Sequence, residues 1–349
     1  MSSLPSTQQV WFQTKRGSNT NAIELNTQAP IPALEPEFVL VKVHSVALNP
    51  VGYKMMPALP SFARKYPSIL EFDLAGTVVD PNGSTFNVGD KVFGICPADD
   101  NIKDGKGALG QYVLVKATNL TAKPDNISFE EAAGISLVGL TAYQGVIDQC
   151  KVTSGQRIFI SGGNSAVGRM AIQVAKIIGA YVVASCSGKS AAKVKALGAD
   201  EIIDYKTVDV VSHLSSQYAS QPFDAIYDAV GSPINLFSSC TPFLKPEGVF
   251  LSIGVMMPKG VSQYLSTGAS ILNSAIRPVW LGGVNRKWII YLTKSNKENL
   301  DALSKWASEG KLHSDVDSIH SFDKAGVLAA YDRIKSNEAS GKVVINVPQ

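Results

Sequence analysis

One stretch of the chain, Arg157–Ala180, restricts the possible folds more than any other: RIFISGGNSAVGRMAIQVAKIIGA. Its first five residues, Arg157–Ser161, have the apolar centre of a buried strand. The apolar residues between Ala171 and Ile178 recur at the i, i+3, i+4, i+7 spacing of a helix with one buried face, and Gly179 is suited to end that helix. The stretch therefore predicts a strand, a glycine-bearing turn and a helix.

The same alternation continues after this stretch. A helix is predicted over Ser190–Leu197, among further strands at Tyr181–Ser185, Glu201–Tyr205, Ala225–Val230 and Val249–Gly254. Strands that alternate with helices predict a doubly wound parallel sheet of the Rossmann type. Residues 1–125 instead contain short β-like segments broken by Gly, Pro and Asn, which is typical of a rolled antiparallel domain.

The C-terminal tail after residue 290 carries two helical segments and a closing strand, Lys342–Val347. We expect this tail to return to the β-rich domain, whose sheet otherwise lacks helical cover. The sequence thus predicts an α/β protein with a β-rich domain built from residues 1–125 and 290–349, and a Rossmann domain built from residues 126–289.

The composition argues against several classes of protein. With 349 residues, 45% of them hydrophobic, the chain is long enough for two domains with substantial cores. The net charge of +3, from 32 basic and 29 acidic residues, gives no strong field for nucleic acid or an anionic membrane. No run approaches the roughly 20 apolar residues of a membrane span, and the N-terminus lacks the apolar core of a secretory signal. We therefore expect a cytoplasmic protein with no nucleic-acid or membrane partner.

The turn after the first Rossmann strand has the spacing of a dinucleotide-binding turn. In such a turn the first glycine permits the tight bend, the second lets the pyrophosphate approach, and the third lets helix and strand pack. The three positions here are Gly162, Ser165 and Gly168. Serine at the middle position keeps a small side chain, a backbone N–H and a hydroxyl that can bond a phosphate oxygen. The alternative is a glycine-rich turn that binds nothing, but the flanking strand and helix favour a cofactor, bound by Gly162, Gly163, Asn164, Ser165, Ala166 and Val167.

The end of the second Rossmann strand bears on which dinucleotide is bound. A carboxylate there would bond the ribose 2′-hydroxyl of NAD and repel a 2′-phosphate, but the segment VVASCSGKSAAK contains no acid. It offers Ser185, Ser187 and Lys189, and Tyr205 ends the next predicted strand. Hydroxyl and ammonium groups suit a phosphate, so the segment favours NADPH. The alternative is that Lys189 is an ordinary solvated residue.

Nine motifs, in one order along nearly the whole chain, resemble the zinc-free quinone oxidoreductase type of medium-chain dehydrogenase/reductase, and they are similar to fungal enoyl reductases of that type. They are VALNPVGYKM, FDLAGTVV, VGDKVFG, GALGQYVLV, EEAAGISLVGLTAYQGV, SGGNSAVG, DAIYDAVG, FLKPEGVFLSIG and SGKVVINV. The resemblance implies a GroES-like substrate domain built from both termini, a Rossmann domain between them, and a nicotinamide cofactor.

The resemblance also implies roles for single residues. Asn49 matches an asparagine expected near the nicotinamide and the substrate, and Thr141 matches a threonine placed by the nicotinamide ribose. Lys189 and Tyr205 match positions that contact the 2′-phosphate in NADPH-dependent members, and Gly254, which ends FLKPEGVFLSIG, is assigned to the cofactor site. Two features depart from the family pattern: Ser165 and Ala166 replace loop glycines, and Gly52 stands where many relatives have Asp.

Metal chemistry is not expected. Glu71–Asp73 replaces the GHE element through which zinc-dependent relatives hold their catalytic metal, and Cys96 has no His or Cys at ligand spacing. The four cysteines lie far apart, which favours reduced thiols. Asp73 is interpreted as a structural acceptor at the start of a strand.

Without a metal to polarise an acceptor, the chemistry that fits is hydride transfer from NADPH to an activated acceptor, either a conjugated C=C or a quinone. Asn49, Tyr53 and Lys54 are the predicted catalytic residues, with Tyr53 and Lys54 as candidates to stabilise an enolate or donate a proton. The alternative is that both are solvent-facing loop residues and that bulk water supplies the proton. One alternative is an enoyl reductase that acts in trans on a carrier-bound polyketide chain. Another is an NADPH-binding sensor or scaffold without turnover. The oligomeric state, monomer or homodimer, stays open.

Overall fold

The computed structural model describes residues 4–231, 234–253, 277, 279–281 and 283–349. The chain forms two compact units, one made of Met1–Leu140 with Lys294–Gln349 and the other of Thr141–Thr293. The divisions predicted from the sequence lie at residues 125/126 and 289/290. The predicted cofactor residue Gly254 lies outside the described residues.

The strands of the described part are, in chain order, β1 (Thr7–Gln13), β2 (Ile23–Pro30), β3 (Phe38–Ala47), β4 (Ser68–Ile69), β5 (Asp73–Asp80), β6 (Lys91–Ile95), β7 (Tyr112–Lys116), β8 (Leu120–Ala122), β9 (Arg157–Ser161), β10 (Tyr181–Cys186), β11 (Glu201–Asp204), β12 (Phe223–Asp228), β13 (Leu244–Ile253), β14 (Lys287–Tyr291), β15 (Val316–His320) and β16 (Lys342–Asn346).

The α-helices of the described part are α1 (Pro50–Ala58), α2 (Ala98–Asp104), α3 (Phe129–Ala133), α4 (Ser136–Tyr143), α5 (Ala166–Ile177), α6 (Ala191–Ala196), α7 (Val210–Gln217), α8 (Ile234–Ser238), α9 (Lys297–Ser308) and α10 (Lys324–Lys335). Short 3₁₀ turns occur at Ser61–Ala63, Ala117–Asn119, Gly188–Ser190 and Val279–Leu281, and a π-helical turn at Gln144–Gln149.

The first unit is built around strand β3. Its neighbours β5, β7 and β16 all run antiparallel to it, within a sheet whose order is β15-β16-β3-β5-β6-β8 with β7 paired to β3. A second sheet has the order β2-β1-β4. The last strand of the chain, β16, pairs Ile345 with Val46 and Val344 with Ala47. The C-terminal segment thus completes the sheet that the N-terminal segment begins.

The second unit is a six-stranded sheet with the order β11-β10-β9-β12-β13-β14, and every neighbouring pair in it is parallel. Phe159, Ile226 and Phe250, on three adjacent strands, are fully buried. Their aromatic and branched side chains form a dry core of the kind that parallel sheets require on both faces. The order confirms the predicted doubly wound fold, and it reverses direction between β9 and β12, where such folds bind ligands.

Two isoleucines on neighbouring strands test the account of the first unit's core. Ile345 on β16 is fully buried in the main apolar cluster, whereas Ile319 on β15 is 54% exposed. We predict that Ile345→Ala lowers the free energy of unfolding by about 2–5 kcal/mol because it opens a cavity, and that Ile319→Ala changes it by about 0.5 kcal/mol at most. Chemical denaturation of both variants measures this, and equal losses would contradict the assignment of β16 to the core.

Candidate functional site

The turn between β9 and α5 is the first part of the candidate site. Gly162 has φ +77°, a backbone conformation that residues with a Cβ rarely adopt. The Ser165 N–H donates to the Gly162 carbonyl at 2.9 Å, and the Gly163 N–H donates to the Ser185 carbonyl of β10 at 2.7 Å. A side chain at Gly162 would also meet Val230. The turn is therefore stabilised by a hydrogen bond within its own backbone and by a second one to the neighbouring strand β10.

Serine at the middle glycine position supports this turn. Ser165 is the N-cap of α5, and its hydroxyl oxygen accepts a hydrogen bond from the Gly168 N–H at 3.0 Å. That bond uses an oxygen lone pair and leaves the hydroxyl proton free to donate. A Cβ at Gly168 would lie 3.0 Å from the Gly162 carbonyl carbon and nearer still to its oxygen, so helix and strand touch there. The first and third glycine positions thus have the geometry that a dinucleotide turn needs.

The N-terminus of α5 offers donors to an anion. The first turn of a helix leaves its N–H groups without intrahelical acceptors, which points those of Ala166 and Val167 outward with the positive end of the helix dipole. The Asn164 side-chain oxygen accepts from the Arg169 guanidinium at 3.0 Å, and Arg169 is itself buried. Backbone donors of this kind fit the pyrophosphate of a dinucleotide.

The carboxyl ends of β10 and β11 form the neighbouring part of the same edge. The Tyr205 N–H donates to the Cys186 carbonyl at 3.3 Å, so Tyr205, which is 49% exposed, lies beside the segment with Ser187 and Lys189. The Ser187 and Ser190 hydroxyls are 3.3 Å apart. Ser187, Lys189, Ser190 and Tyr205 therefore lie along one short strip of the chain at this edge, and their contact with a 2′-phosphate remains a prediction.

The structure also brings an acid to this strip. A Cβ at Gly188 would lie 2.6 Å from Asp204 Oδ2, so the carboxylate at the end of β11 packs against the Gly188–Ser190 turn. This acid was not predicted from the sequence, because it lies at the end of β11 and not at the end of β10, where an acid would bond the ribose of NAD. The Asp204 side chain is also fixed by a local hydrogen bond, because its Oδ1 accepts from the Lys206 N–H at 2.9 Å.

Two other predicted cofactor residues have protein partners. Ser185 is buried, and its hydroxyl accepts a hydrogen bond from the Gly162 N–H at 3.2 Å, so it stabilises the backbone of the turn. The Thr141 hydroxyl shares a 2.6 Å hydrogen bond with Thr293, and its carbonyl accepts from the Tyr227 hydroxyl. Direct contact of either residue with a cofactor remains a prediction.

A buried carboxylate that sequence analysis did not single out also lies beside the turn. Asp228 ends β12, opposite Ser161 of β9 in the sheet register, and is 1% exposed. Its Oδ1 accepts from the Val230 N–H at 3.1 Å, whereas Oδ2 has no hydrogen-bond partner among the described residues. Burial raises the pKa of Asp228 to about 6. An acid at the end of a strand, directly before Ala-Val-Gly, was the available signal.

In the first unit, Asn49 lies in a buried polar network rather than on an open surface. Its Nδ2 donates to Asp73 Oδ2 at 2.9 Å, and its Oδ1 accepts from Lys342 Nζ at 2.7 Å. Lys342 also donates to Asp73 Oδ2 at 3.1 Å, and Asp73 Oδ1 accepts from the Leu137 N–H at 3.0 Å. Asp73 is thus a structural acceptor. Both ends of the Asn49 side chain have protein partners, and its contact with cofactor or substrate remains a prediction.

Glu71 extends this network. It is 2% exposed, its Oε1 accepts from the Tyr331 hydroxyl at 2.7 Å, and its Oε2 accepts from the Asn49 N–H at 3.3 Å. Burial raises the pKa of Glu71 from 4.5 to about 7, against the opposing effects of Tyr331, Asn49 and Lys342. The folded chain therefore binds this proton more tightly than the unfolded chain, and the group destabilises the fold as the pH rises from 4.5 to about 7.

The other predicted catalytic residues, Tyr53 and Lys54, lie on helix α1 and not in a loop. Both are partly buried. The Tyr53 ring lies 5.7 Å from Lys335 Nζ of α10, and burial raises the pKa of its hydroxyl. No hydrogen bond or ion pair of the Lys54 ammonium occurs among the described residues. Their catalytic roles remain predictions.

In the part of the chain that the structure describes, the residues at the position of the zinc element do not fit a catalytic metal. Among the described residues, no three His, Cys, Asp or Glu side chains come together in a way that could hold a metal ion. Glu71 and Asp73, which stand in place of the zinc element, accept hydrogen bonds from Tyr331, Asn49 and Lys342, and burial raises the pKa of the Cys96 thiol.

No described helix is both long and apolar enough to cross a bilayer.

Comparisons with known proteins agree with this geometry. Residues 35–125 match the alcohol dehydrogenase GroES-like domain, and residues 197–345 match a model described as zinc-binding dehydrogenase. Over its whole length the chain is 32% identical to trans-enoyl reductase pgmF of Aspergillus terreus, covering 98% of that protein. It is 30% identical to trans-enoyl reductase poxH of Penicillium oxalicum, with 99% of the chain and 100% of that protein covered.

A solved structure is similar in fold as well. The alignment with the quinone oxidoreductase from Coxiella burnetii covers 98% of this chain and 99% of that protein's chain, at 28% identity and a TM-score of 0.78. The predicted resemblance is thereby confirmed. The chain belongs to the medium-chain dehydrogenase/reductase family and is an oxidoreductase that uses a nicotinamide cofactor.

Proposed function

We propose that the protein is an NADPH-dependent enoyl reductase, which reduces a C=C bond conjugated to a carbonyl or thioester without a metal. The observation that carries this proposal is the end-to-end similarity to two proteins named trans-enoyl reductases. The turn at Gly162–Gly168 supports it because it supplies the donors for a dinucleotide pyrophosphate.

NADPH rather than NADH is supported by the strip at the ends of β10 and β11. Ser187, Lys189 and Tyr205 provide the groups that bind a 2′-phosphate dianion. Asp204 lies beside them, and its negative charge weakens the phosphate affinity of the strip. We propose that the ammonium and hydroxyl groups outweigh this one acid.

The bound cofactor supplies a hydride, which adds to the β-carbon of the acceptor, while a proton adds to the α-carbon to complete the saturated product. The protein must stabilise the negative charge that develops on the carbonyl oxygen. Lys54 is suited to this because its ammonium has no other partner among the described residues. Tyr53 is the second candidate to donate the proton: its hydroxyl is protonated at neutral pH, and burial raises its pKa, which makes it a weaker acid than an exposed tyrosine.

Two acceptors fit this chemistry. An enoyl thioester on a carrier is the first, because the relatives that align end to end are named trans-enoyl reductases. A quinone is the second, because the Coxiella burnetii structure is a quinone oxidoreductase. Both take a hydride without metal activation, and they differ in the atom that receives it.

The test is NADPH consumption by the purified protein with three acceptors: an α,β-unsaturated pantetheine thioester, a free enone of similar size and an ortho-quinone. We expect turnover with the thioester and a saturated product. Turnover with the quinone alone would replace the proposal by the second candidate. Tight NADPH binding without consumption of any acceptor would contradict catalysis and favour a sensor.

Charge removal tests the cofactor assignment. We predict that Lys189→Ala raises the Kd for NADPH about tenfold, the effect of losing one charge-assisted hydrogen bond, and leaves the Kd for NADH unchanged. Lys195→Ala is the matched control, because Lys195 is an exposed lysine of the following helix α6 whose ammonium bonds the Asp200 carbonyl. Titration of the fluorescence of each reduced cofactor measures both constants. Equal weakening of NADPH and NADH would show that Lys189 does not contact the 2′-phosphate.

A further inference from the structure

Three observations about Glu71 do not follow from the proposed cofactor site. The first is its position. The Glu71 carboxylate joins two elements, because it accepts from the Tyr331 hydroxyl of α10 and from the N–H of Asn49, the N-cap of α1. The Asn49 side chain makes no capping bond of its own to α1. A carboxylate at the N-terminal end of a helix is favoured by the helix dipole.

The second observation is that Gly52 makes room for Glu71. A Cβ at Gly52 would lie 2.8 Å from the carboxyl carbon and from Oε2 of Glu71, and nearer still to Oε1. No larger residue fits at position 52 while Glu71 keeps its place. This accounts for the departure at Gly52: the Glu71 carboxylate occupies the volume into which a side chain of residue 52 would extend.

The third observation is the backbone of Glu71, which has φ +60°. Residues with a Cβ are disfavoured in this left-handed region, and glycine or asparagine is the usual choice there. Glu71 is therefore a buried acid on a strained backbone, and both features destabilise the fold. Strain that the surroundings impose in this way concentrates at functional positions.

We propose that Glu71 is a positioning residue of the reductase, whose carboxylate fixes the first turn of α1 and thereby the side chains of Asn49, Tyr53 and Lys54. The proposal rests on the reductase function in so far as those side chains serve it. With Glu71 in place, Asn49 is held at three points: its N–H by Glu71, its Oδ1 by Lys342 and its Nδ2 by Asp73.

The ionised carboxylate accepts from both donors, whereas a protonated carboxyl has one fewer acceptor site to offer. The titratable groups that face Glu71 are Tyr331 of α10, Asp73 of β5 and Lys342 of β16. Because the pKa of Glu71 is about 7, the hydrogen bonding of its carboxylate to the N-cap of α1 weakens as the pH falls through that value. A purely structural acid would not couple the rate of turnover to this titration.

The experiment compares Glu71→Gln with Glu37→Gln, a matched control in the same unit. Glu37 also has a left-handed backbone, with φ +70°, but it is exposed. We expect Glu71→Gln to lower kcat at pH 8 on the order of 10-fold, as misplacement of reacting groups does, with the Kd for NADPH unchanged. The rise of kcat between pH 6 and 8 should disappear, and the melting temperature at pH 8 should not fall, because a buried charge is removed. Glu37→Gln should change none of these.

A rescue experiment tests whether kcat depends on a carboxylate at this place in the fold and not on glutamate at residue 71 itself. Glu71→Gly suits the left-handed backbone but removes the carboxylate, so kcat should fall. Adding Gly52→Asp to that variant returns a carboxylate to the same volume from α1, and kcat should recover to within a few-fold of wild type. Failure of this double variant to recover, with its fold intact, would overturn the proposal.

Hydrogen exchange of the α1 peptide, Pro50–Ala58, decides the positioning claim without any turnover. We expect faster exchange in Glu71→Gln than in wild type at pH 8, and no change in Glu37→Gln. Unchanged α1 exchange would overturn the proposal whatever the activities. A wild type that consumes NADPH with none of the acceptors would instead refute the reductase function, and the exchange result would still decide whether Glu71 positions α1.

Discussion

The buried contact of Lys342 with Asp73 and Asn49 is the interaction on which the first unit depends. Lys342 is the first residue of β16, Asp73 is the first residue of β5, and Asn49 directly precedes α1. One ammonium group therefore links three elements through its hydrogen bonds. A buried ion pair is worth keeping only when its remaining hydrogen-bonding capacity is satisfied. Here the second Asp73 oxygen is satisfied by the Leu137 N–H at the start of α4.

Glu71 enters this network as a second acid with no second lysine. The network holds two carboxylates and one ammonium, and the Glu71 carboxylate accepts hydrogen bonds from two neutral donors, the Tyr331 hydroxyl and the Asn49 N–H. Burial of the carboxylate is the main reason why the pKa of Glu71 rises to about 7, and the nearby Asp73 carboxylate adds to the rise. The fold therefore gives up stability at this point, as proteins do where function requires it.

The second unit depends on a different constraint, which is backbone contact at the glycine turn. Gly168 touches the Gly162 carbonyl, and the Ser165 hydroxyl caps the helix between them. These features bring the N-terminus of α5 to the carboxyl edge of the parallel sheet, where the strand order reverses. The hydrogen bonds of the turn hold it in a bent conformation, and such preorganisation lowers the entropic cost of binding a flexible dinucleotide.

The sequence was sufficient to predict what is encoded locally. The strand, turn and helix at Arg157–Ala180 follow from periodicity and glycine spacing, and the parallel sheet follows from repeated alternation. The polar network was out of reach because Lys342 and Tyr331 meet Asn49 and Glu71 only after the chain has folded back across some 260 to 290 residues. Asp204 was missed for a similar reason, since its proximity to Gly188 depends on the register of β10 with β11.

Transfer of the hydride to a carbon atom of the acceptor distinguishes an enoyl reductase from a quinone reductase. The most direct measurement supplies NADPH carrying deuterium at both C4 positions, together with an α,β-unsaturated pantetheine thioester, and locates the label in the product by mass spectrometry and NMR. We expect one deuterium at the β-carbon and a solvent-derived proton at the α-carbon. Consumption of NADPH that leaves no deuterium on a carbon atom of the product would refute reduction of the C=C bond.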